Sequence, residues 1–544
     1  MSGFFNTASF HHCKETGKQK KTCTAILLLV CITAFSSSVF AFQDPPLITI
    51  TKPTGGDVFT VCSSGCDFTD LDQANSSADV GPGDTIRVGG GSYDPFNWTK
   101  SGNAGDEIVI EPSGDGNVDF QPAGSDICRI NGDHVIFDGG EKRQMGIDGD
   151  GVADGNYVLR IAGSYVTLHR LHMYDAGLDA HGANGGQFNI GTEGNYVRIN
   201  NCTIENGFSG GIYVYGGSYT EIRNNIVCGN NGAGIQVNPH GDAGAGKVDG
   251  DEIVISGNAV YGNGIMHEKP GIAFLSSDGN HLYDIYIFNN LVWDNHTGIK
   301  RSANSDQSNI NGRVFNNSIF GSITYNLLIQ NGGNSEIRNN NTSGVGWADR
   351  FEGTYVESNN VTDPLYASTN EDDNGFLKPT AKNIGYNTTT AIPFFIDDYN
   401  GNARDSSAID IGAFRFQIEP PDNITVELTS TETGVDVTLT WDASLFDGVE
   451  GCILYYDTDS GPPYANSIDI PDTGVITQKI SGLAEGQPYY FALTTYDSNG
   501  WESNYSEEIV IQDQPAHHDE GSGSSGCFIS ALCNSLVGVF EMVE

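Results

Sequence analysis

The chain has 544 residues, with 69 Asp and Glu against 26 Lys and Arg, for a formal net charge of −43. So acidic a surface repels phosphate, so neither nucleic acid nor an anionic membrane is an expected partner; the same carboxylates offer ligands to Ca²⁺. The length exceeds one ordinary domain and is ample for a large core.

In chain order, Lys18, Lys20 and Lys21 precede the apolar run "CTAILLLVCITAF", and the small residues Val39 and Ala41 close the segment. This predicts a signal peptide over residues 1–41 and a secreted, extracellular or cell-surface protein; an uncleaved anchor is the alternative. The leader holds four Lys and one Glu, so its removal leaves 22 basic and 68 acidic residues, a net charge of −46. Cys62 and Cys66, in "VCSSGCDF", are close enough to bridge in an oxidising compartment. Cys128, Cys202 and Cys228 fall in strand-like segments, and no cysteine spacing reads as a zinc site.

From Val197 one word returns: alternating apolar residues, an Asn, a second apolar run, Asn-Gly, then Gly-Ile-x-apolar. With Asn201, Asn225, Asn258, Asn290, Asn317 and Asn340 as markers, the steps are 24, 33, 32, 27 and 23 residues. Such periods mean a stacked repeat, and short strands bounded by Asn and Gly, with no helical spacing, predict the coils of a parallel β-helix. Val227, Val260, Val292 and Ile319 share one buried row, and Ile212, Ile235, Ile272 and Ile299 another. Cys228 takes the slot of Ile204, Tyr261, Trp293 and Phe320, as a small core hydrophobe. The Asn column is architectural, its amides bonding along the axis.

The segment "GPGDTIRVGGGSYDPFNWTKSGNAGDEIVIEP" (81–112) resembles the opening coils of right-handed parallel β-helix proteins of the pectate-lyase-like superfamily, closest to alginate-lyase and chondroitinase-B-like families. The stretch "DDYNGNARDSSAIDIGAFRF" (397–416) resembles the closing strand of secreted members of that superfamily. The expected fold is therefore all-β, with a right-handed parallel β-helix over residues 42–416. After "EPPDN", strands at sandwich spacing match a fibronectin type III domain over 419–513, with Trp441, Leu483, Tyr489, Phe491 and Leu493 at core positions and Tyr489 as its tyrosine corner. Residues 514–526 read as a flexible Gly/Ser-rich linker. Residues 527–544 resemble the Cys-Phe-Ile-box tails of secreted bacterial proteins, which implies processing or cell-envelope attachment through Cys527; a frayed amphipathic end is the plainer alternative.

The repeat also predicts a groove. In each "Gly-Ile-x-x" strand the third residue faces out, giving the column Tyr213, Gln236, Ala273, Lys300 and Leu328. Turns lengthen on both sides, at 178–184, 265–270 and 296–297 on one and at 238–252, 275–284 and 302–310 on the other. These ridges carry His181, His267, Lys269 and His296 opposite His240, Asp242 and Asp278. Families of this likeness include polysaccharide lyases, in which a cation neutralises the uronate carboxylate and a base takes the α-proton. That implies Lys300 as base with His240 or Tyr213 as helper, and Gln236, Asp242, His267, Lys269, Asp278, His296 and Arg301 as substrate contacts. Arg301 stands in a slot that is apolar in other coils, and is either buried with a partner or swung out. The plainer alternative for Lys300 is a solvated strand residue. A glycoside hydrolase would need a carboxylate pair, for which Asp242 and Asp278 are the candidates. A non-catalytic glycan-binding or adhesion protein is the reading from another class. Asp148, Asp150, Asp154 and Asn156 alternate as in calcium loops, against the alternative of a solvated Asp-Gly turn.

Overall fold

The computed structural model describes residues 44–511, except 142, 153–156, 178–187, 239–249, 277–281, 304–309, 331–334, 344–349, 352–354, 362–365, 367–368, 370–376, 379–396, 405–410, 416–417, 432–433, 445–448, 472–473 and 498–501. The leader, His181, His240, Asp242, Asp278, Asp154, Asn156, the 514–526 linker and the 527–544 tail lie outside the described residues.

Strands two to seven residues long recur three to a coil, many of them ended by a residue that accepts positive φ, as Asn224 and Gly229 do. One coil runs Glu221–Arg223, Ile226–Cys228, Ala233–Val237, and the next coil begins at Gly250–Ser256. Stacking coils in parallel builds three sheets. The first has 12 strands, from Val58–Val61 to Tyr355–Ser358; the second (Gly91–Tyr93 to Asn341–Ser343) and third (Asn97–Trp98 to Arg350–Phe351) have 10 each. The product is a parallel β-helix whose core is the bore of the coil. Val227, Val260, Val292 and Ile319 are register partners in the second sheet, all fully buried. Ile212, Ile235, Ile272 and Ile299 form the matching row of the third.

The corner between the first and second sheets carries an Asn ladder. Asn225, Asn258, Asn290, Asn317 and Asn340 each donate through Nδ2 to the next Oδ1, at 2.9 to 3.0 Å, ending on Asn360. Asn201 does not belong to it: Cys202 holds the ladder position, and its N–H donates to Asn225 Oδ1 at 2.8 Å. Asn201 sits one residue earlier, with φ 54°, in the column of left-handed residues that includes Asn224, Asn289, Asn316 and Asn339. A second ladder, Asn230, Asn263 and Asn295, closes the corner between the second and third sheets. At the third corner Gly132, Gly163, Gly194 and Gly217 stack so closely that a Cβ on any of them would strike the carbonyl of the coil before. Two residues after each stands a ring: His134, Tyr165, Tyr196 and Tyr219 stack face to face, centroids 4.4 to 4.5 Å apart.

The segments that precede and follow the coils fold back on them. Lys52 of the N-terminal segment pairs with Glu111 at 2.7 Å and with the buried Asp138. Helix Leu71–Ser76, N-capped by Asp70, adds Leu71 and Ala74 to the core of the opening coils. Tyr399, Ala413 and Phe414 cover the outer face of the second sheet, and this corrects the reading of Cys228. Cys228 pairs in register with Glu205 rather than Ile204, since strand alternation turns Val227 inward and Cys228 outward. It is buried with Tyr261, Trp293 and Phe320 beneath the returning C-terminal segment. Cys62 and Cys66 form a disulfide with Cα atoms 5.6 Å apart.

Residues 418–511 form two antiparallel sheets, of three and four strands, around a separate core of Leu439, Trp441, Leu454, Phe491 and Leu493. Tyr489 is only half-buried, because its hydroxyl turns back to accept the Ala484 N–H at 3.1 Å.

Candidate functional site

The third sheet presents one unbroken outward row, register by register: Asn97, Arg129, Arg160, Gly191, Tyr213, Gln236, Ala273, Lys300 and Leu328. The residues beside them, such as Ile190, Ile235 and Leu327, point into the bore and are fully buried. Arg129, Arg160 and Lys300 thus share one face of a chain in which acids outnumber bases 69 to 26.

Lys300 is half-buried, and burial pushes its ammonium below the ordinary lysine range, with the nearby charge of Lys269 acting in the same direction. Lys269 stands on the 265–270 turn beside this row, next to His267, whose ring meets Phe208 edge-on at 5.0 Å. His296 follows on the corresponding turn of the next coil, its N–H bonded to Asn263 O at 3.0 Å. Lys269, His267 and His296 therefore line the edge that leads onto the Lys300 strand.

Two sequence expectations need correction. Tyr213 shares the row but lies three coils from Lys300, about 14 Å along the axis at the ~4.8 Å spacing of paired strands, so the two cannot serve one bond. Arg301 is fully buried and pairs with Phe274 and Ile329, on the inward side of the same alternation, so it does not face the groove. Its Nη1 donates to Gln330 O at 3.0 Å, and burial brings its pKa down to about 10. Asp148 and Asp150 form a closed turn, Asp150 N–H donating to Asp148 Oδ1 at 3.1 Å. Among the described residues no group of three or more His, Cys, Asp and Glu is gathered to hold a metal ion.

The structure adds an aromatic cluster at the Arg160 end of the row. Tyr157 and Tyr215 stack at 5.4 Å, and Phe188 and Tyr213 at 4.8 Å. Arg160 donates to Glu193 Oε1 at 2.6 Å and to the Tyr215 hydroxyl at 3.0 Å. Burial raises the phenols, Tyr215 to about 12, so they stay protonated as donors. The one sequence signal for this cluster is the run of tyrosines in "GGIYVYGGSY"; their meeting with Tyr157 and Phe188 depends on register across three coils.

No curated protein matches the sequence. Among solved structures, the chain is similar to pectate lyase Pel9A at 16% identity, covering 67% of this chain and 97% of that one, with a TM-score of 0.47. A rhamnogalacturonan lyase matches at 15% identity over 65% of this chain and 96% of that one, TM-score 0.44. An Fn3-like protein from Clostridium thermocellum matches at 26% identity over 19% of this chain and 100% of that one, TM-score 0.16. The family model for a right handed beta helix region matches residues 108–315, within the stacked coils, and the fold is a right-handed parallel β-helix followed by an antiparallel two-sheet unit.

Proposed function

We propose that the outer face of the third sheet binds an acidic, uronate-bearing polysaccharide and that Lys300 acts on it as the base of a β-elimination. The observation that carries this is the outward row itself. It sets Arg129, and Arg160 with its partner Glu193, on the same axis as Lys300 several coils further along a strongly acidic chain, so that cations recur along a line suited to a linear polyanion.

Lysine in its neutral form takes the proton α to the sugar carboxylate. The electron pair left on carbon forms a C=C bond, the β carbon–oxygen bond breaks, and the departing oxygen leaves with the pair and takes up a proton. Lys269 neutralises the carboxylate, and the lowered ammonium of Lys300 makes the neutral base available at a pH below that of a free lysine. The 418–511 unit is a fibronectin type III module in this reading, supported by the Tyr489–Ala484 bond of its tyrosine corner. Secretion, Ca²⁺ binding by Asp148 and its neighbours, and envelope attachment through Cys527 accompany the proposal as expectations. A binding-only reading is favoured by the same Lys269–Lys300 pair, since two neighbouring cations hold a carboxylate without either giving up a proton.

Incubating the protein with uronate polymers while following ultraviolet absorbance decides between these. Lys300→Ala should abolish the absorbance rise if Lys300 is the base, and should weaken retention on an affinity gel about tenfold if it is a contact only. Reducing ends without absorbance would mean hydrolysis, and no retention of any acidic polymer at low salt would overturn the site.

A further inference from the structure

The sandwich carries a surface cluster that no part of the β-helix reading uses. In strand Val449–Asp457 the fully buried Leu454 points inward, so Tyr455 faces out from the four-stranded sheet. Tyr505 meets Tyr455 edge-on, centroids 5.1 Å apart at 80°, and Tyr464 at 5.4 Å and 69°. Two carboxylates fix these rings: the Tyr455 hydroxyl donates to Glu502 Oε2 at 2.9 Å, and the Tyr464 hydroxyl donates to Glu508 Oε1 at 2.8 Å. Tyr505 remains 39% exposed.

We propose that Tyr505, Tyr455 and Tyr464, with Glu502 and Glu508, bind an arginine-bearing segment of a partner protein.

Charge favours that occupant. Residues 419–513 hold 18 Asp and Glu and one base, Lys479, which pairs with Asp436 at 2.8 Å in the other sheet. Burial alone would raise the Glu508 carboxyl, but hydrogen bonds from Ser460, Gly461 and Tyr464 outweigh it and hold the pKa low, so the negative charge persists. Aromatic faces are themselves electron-rich, and an anionic polymer is repelled here. A guanidinium suits the site better than an ammonium, because its plane stacks on Tyr505 while its N–H fork reaches the exposed Glu502. A neutral saccharide could hydrogen-bond the carboxylates through its hydroxyls but would leave their charge uncompensated.

The test is fluorescence anisotropy of the full chain with a labelled arginine–serine repeat peptide, alongside a lysine–serine peptide and a neutral gluco-oligosaccharide. The arginine peptide should bind more tightly than the other two probes. Tyr505→Ala and Glu502→Gln should each weaken it about tenfold, the size of a desolvated cation–π or charge contact. Glu485→Gln removes the same charge from the exposed turn before Tyr489, and should leave binding unchanged. Unaltered near-ultraviolet circular dichroism of each variant establishes that it is folded. Equal loss for Glu485→Gln would reduce the effect to net charge and overturn the site. So would binding indifferent to Tyr505→Ala, or tighter binding of the oligosaccharide.

Discussion

Asn258→Ala tests whether the first Asn ladder holds the coils together. Asn258 is fully buried; its Oδ1 accepts the Asn225 N–H at 2.9 Å and the Asn225 Nδ2 at 3.0 Å. Its own Nδ2 donates to Ile222 O and Asn290 Oδ1, both at 2.9 Å. Alanine strands two buried donors of Asn225 at about 1–3 kcal/mol each and leaves a small void, for an expected loss of roughly 3–5 kcal/mol. Asn360→Ala removes a similar set of bonds at the half-exposed end of the ladder, where water can replace the amide, so it should cost about 1 kcal/mol. Urea titration followed by far-ultraviolet circular dichroism reads both, scored as the shift of the β-helix transition because stacked repeats need not unfold as one unit. Equal shifts for the two variants, or a loss below about 1 kcal/mol for Asn258→Ala, would refute the idea that burial gives the ladder its strength.

His169 is 1% exposed, and burial, with Arg170 and Lys52 nearby, lowers its pKa to about 4 despite the opposing charge of Asp138. The unfolded chain, near 6.5, therefore takes up the proton first, so this contribution is complete above pH 6.5 and lost as pH falls towards 4. His169→Gln should flatten the fall of Tm over that window, and an unchanged slope would count against the assignment. Trp441→Ala, at a site 2% exposed, should lower a calorimetric transition of the sandwich by about 3–5 kcal/mol and leave that of the β-helix in place; a matching shift in both would contradict separate cores. Lys52→Ala breaks the pairs with Glu111 and the buried Asp138, at a cost of roughly 1–3 kcal/mol, and should speed proteolysis within residues 44–52; unchanged cutting would show that the pairs do not hold the segment down.

The fold is legible where one residue type repeats at one slot. The row from Val227 to Ile319 can be followed in the sequence because every coil spends an apolar residue there. Arg301 shows the limit: the sequence places it in an apolar slot, but only the observed burial decides between an inward and a swung-out side chain. Asn201 and Cys202 show another, since two adjacent columns both favour Asn, one for the ladder and one for positive φ, and a one-residue slip exchanges them. The outward row of the candidate site follows from alternation alone. Its aromatic end does not, because Tyr157 and Phe188 reach Tyr215 and Tyr213 only through register with coils that the repeated word does not cover. The outer faces are least legible, as Cys228 shows, because Tyr399, Ala413 and Phe414 return to cover positions that local pattern assigns to the bore or to solvent.

The stacked glycines at the third corner also bear on how such a chain can diversify. From Gly132 to Gly217 each turn leaves no room for a methyl group against the coil before, so neither a side chain nor an inserted residue fits there without separating the coils. New sequence in these coils has to enter at the other corners. Among the described residues the glycine column runs to Gly217, and from there the ladder positions step by 33 and 32 residues where the step from Cys202 to Asn225 is 23. The corner that joins the third sheet to the first thus acts as a hinge line of fixed length through the early coils. It leaves the later coils, those carrying Lys269 and Lys300, free to gain and lose loops over evolutionary time without disturbing the pitch of the stack.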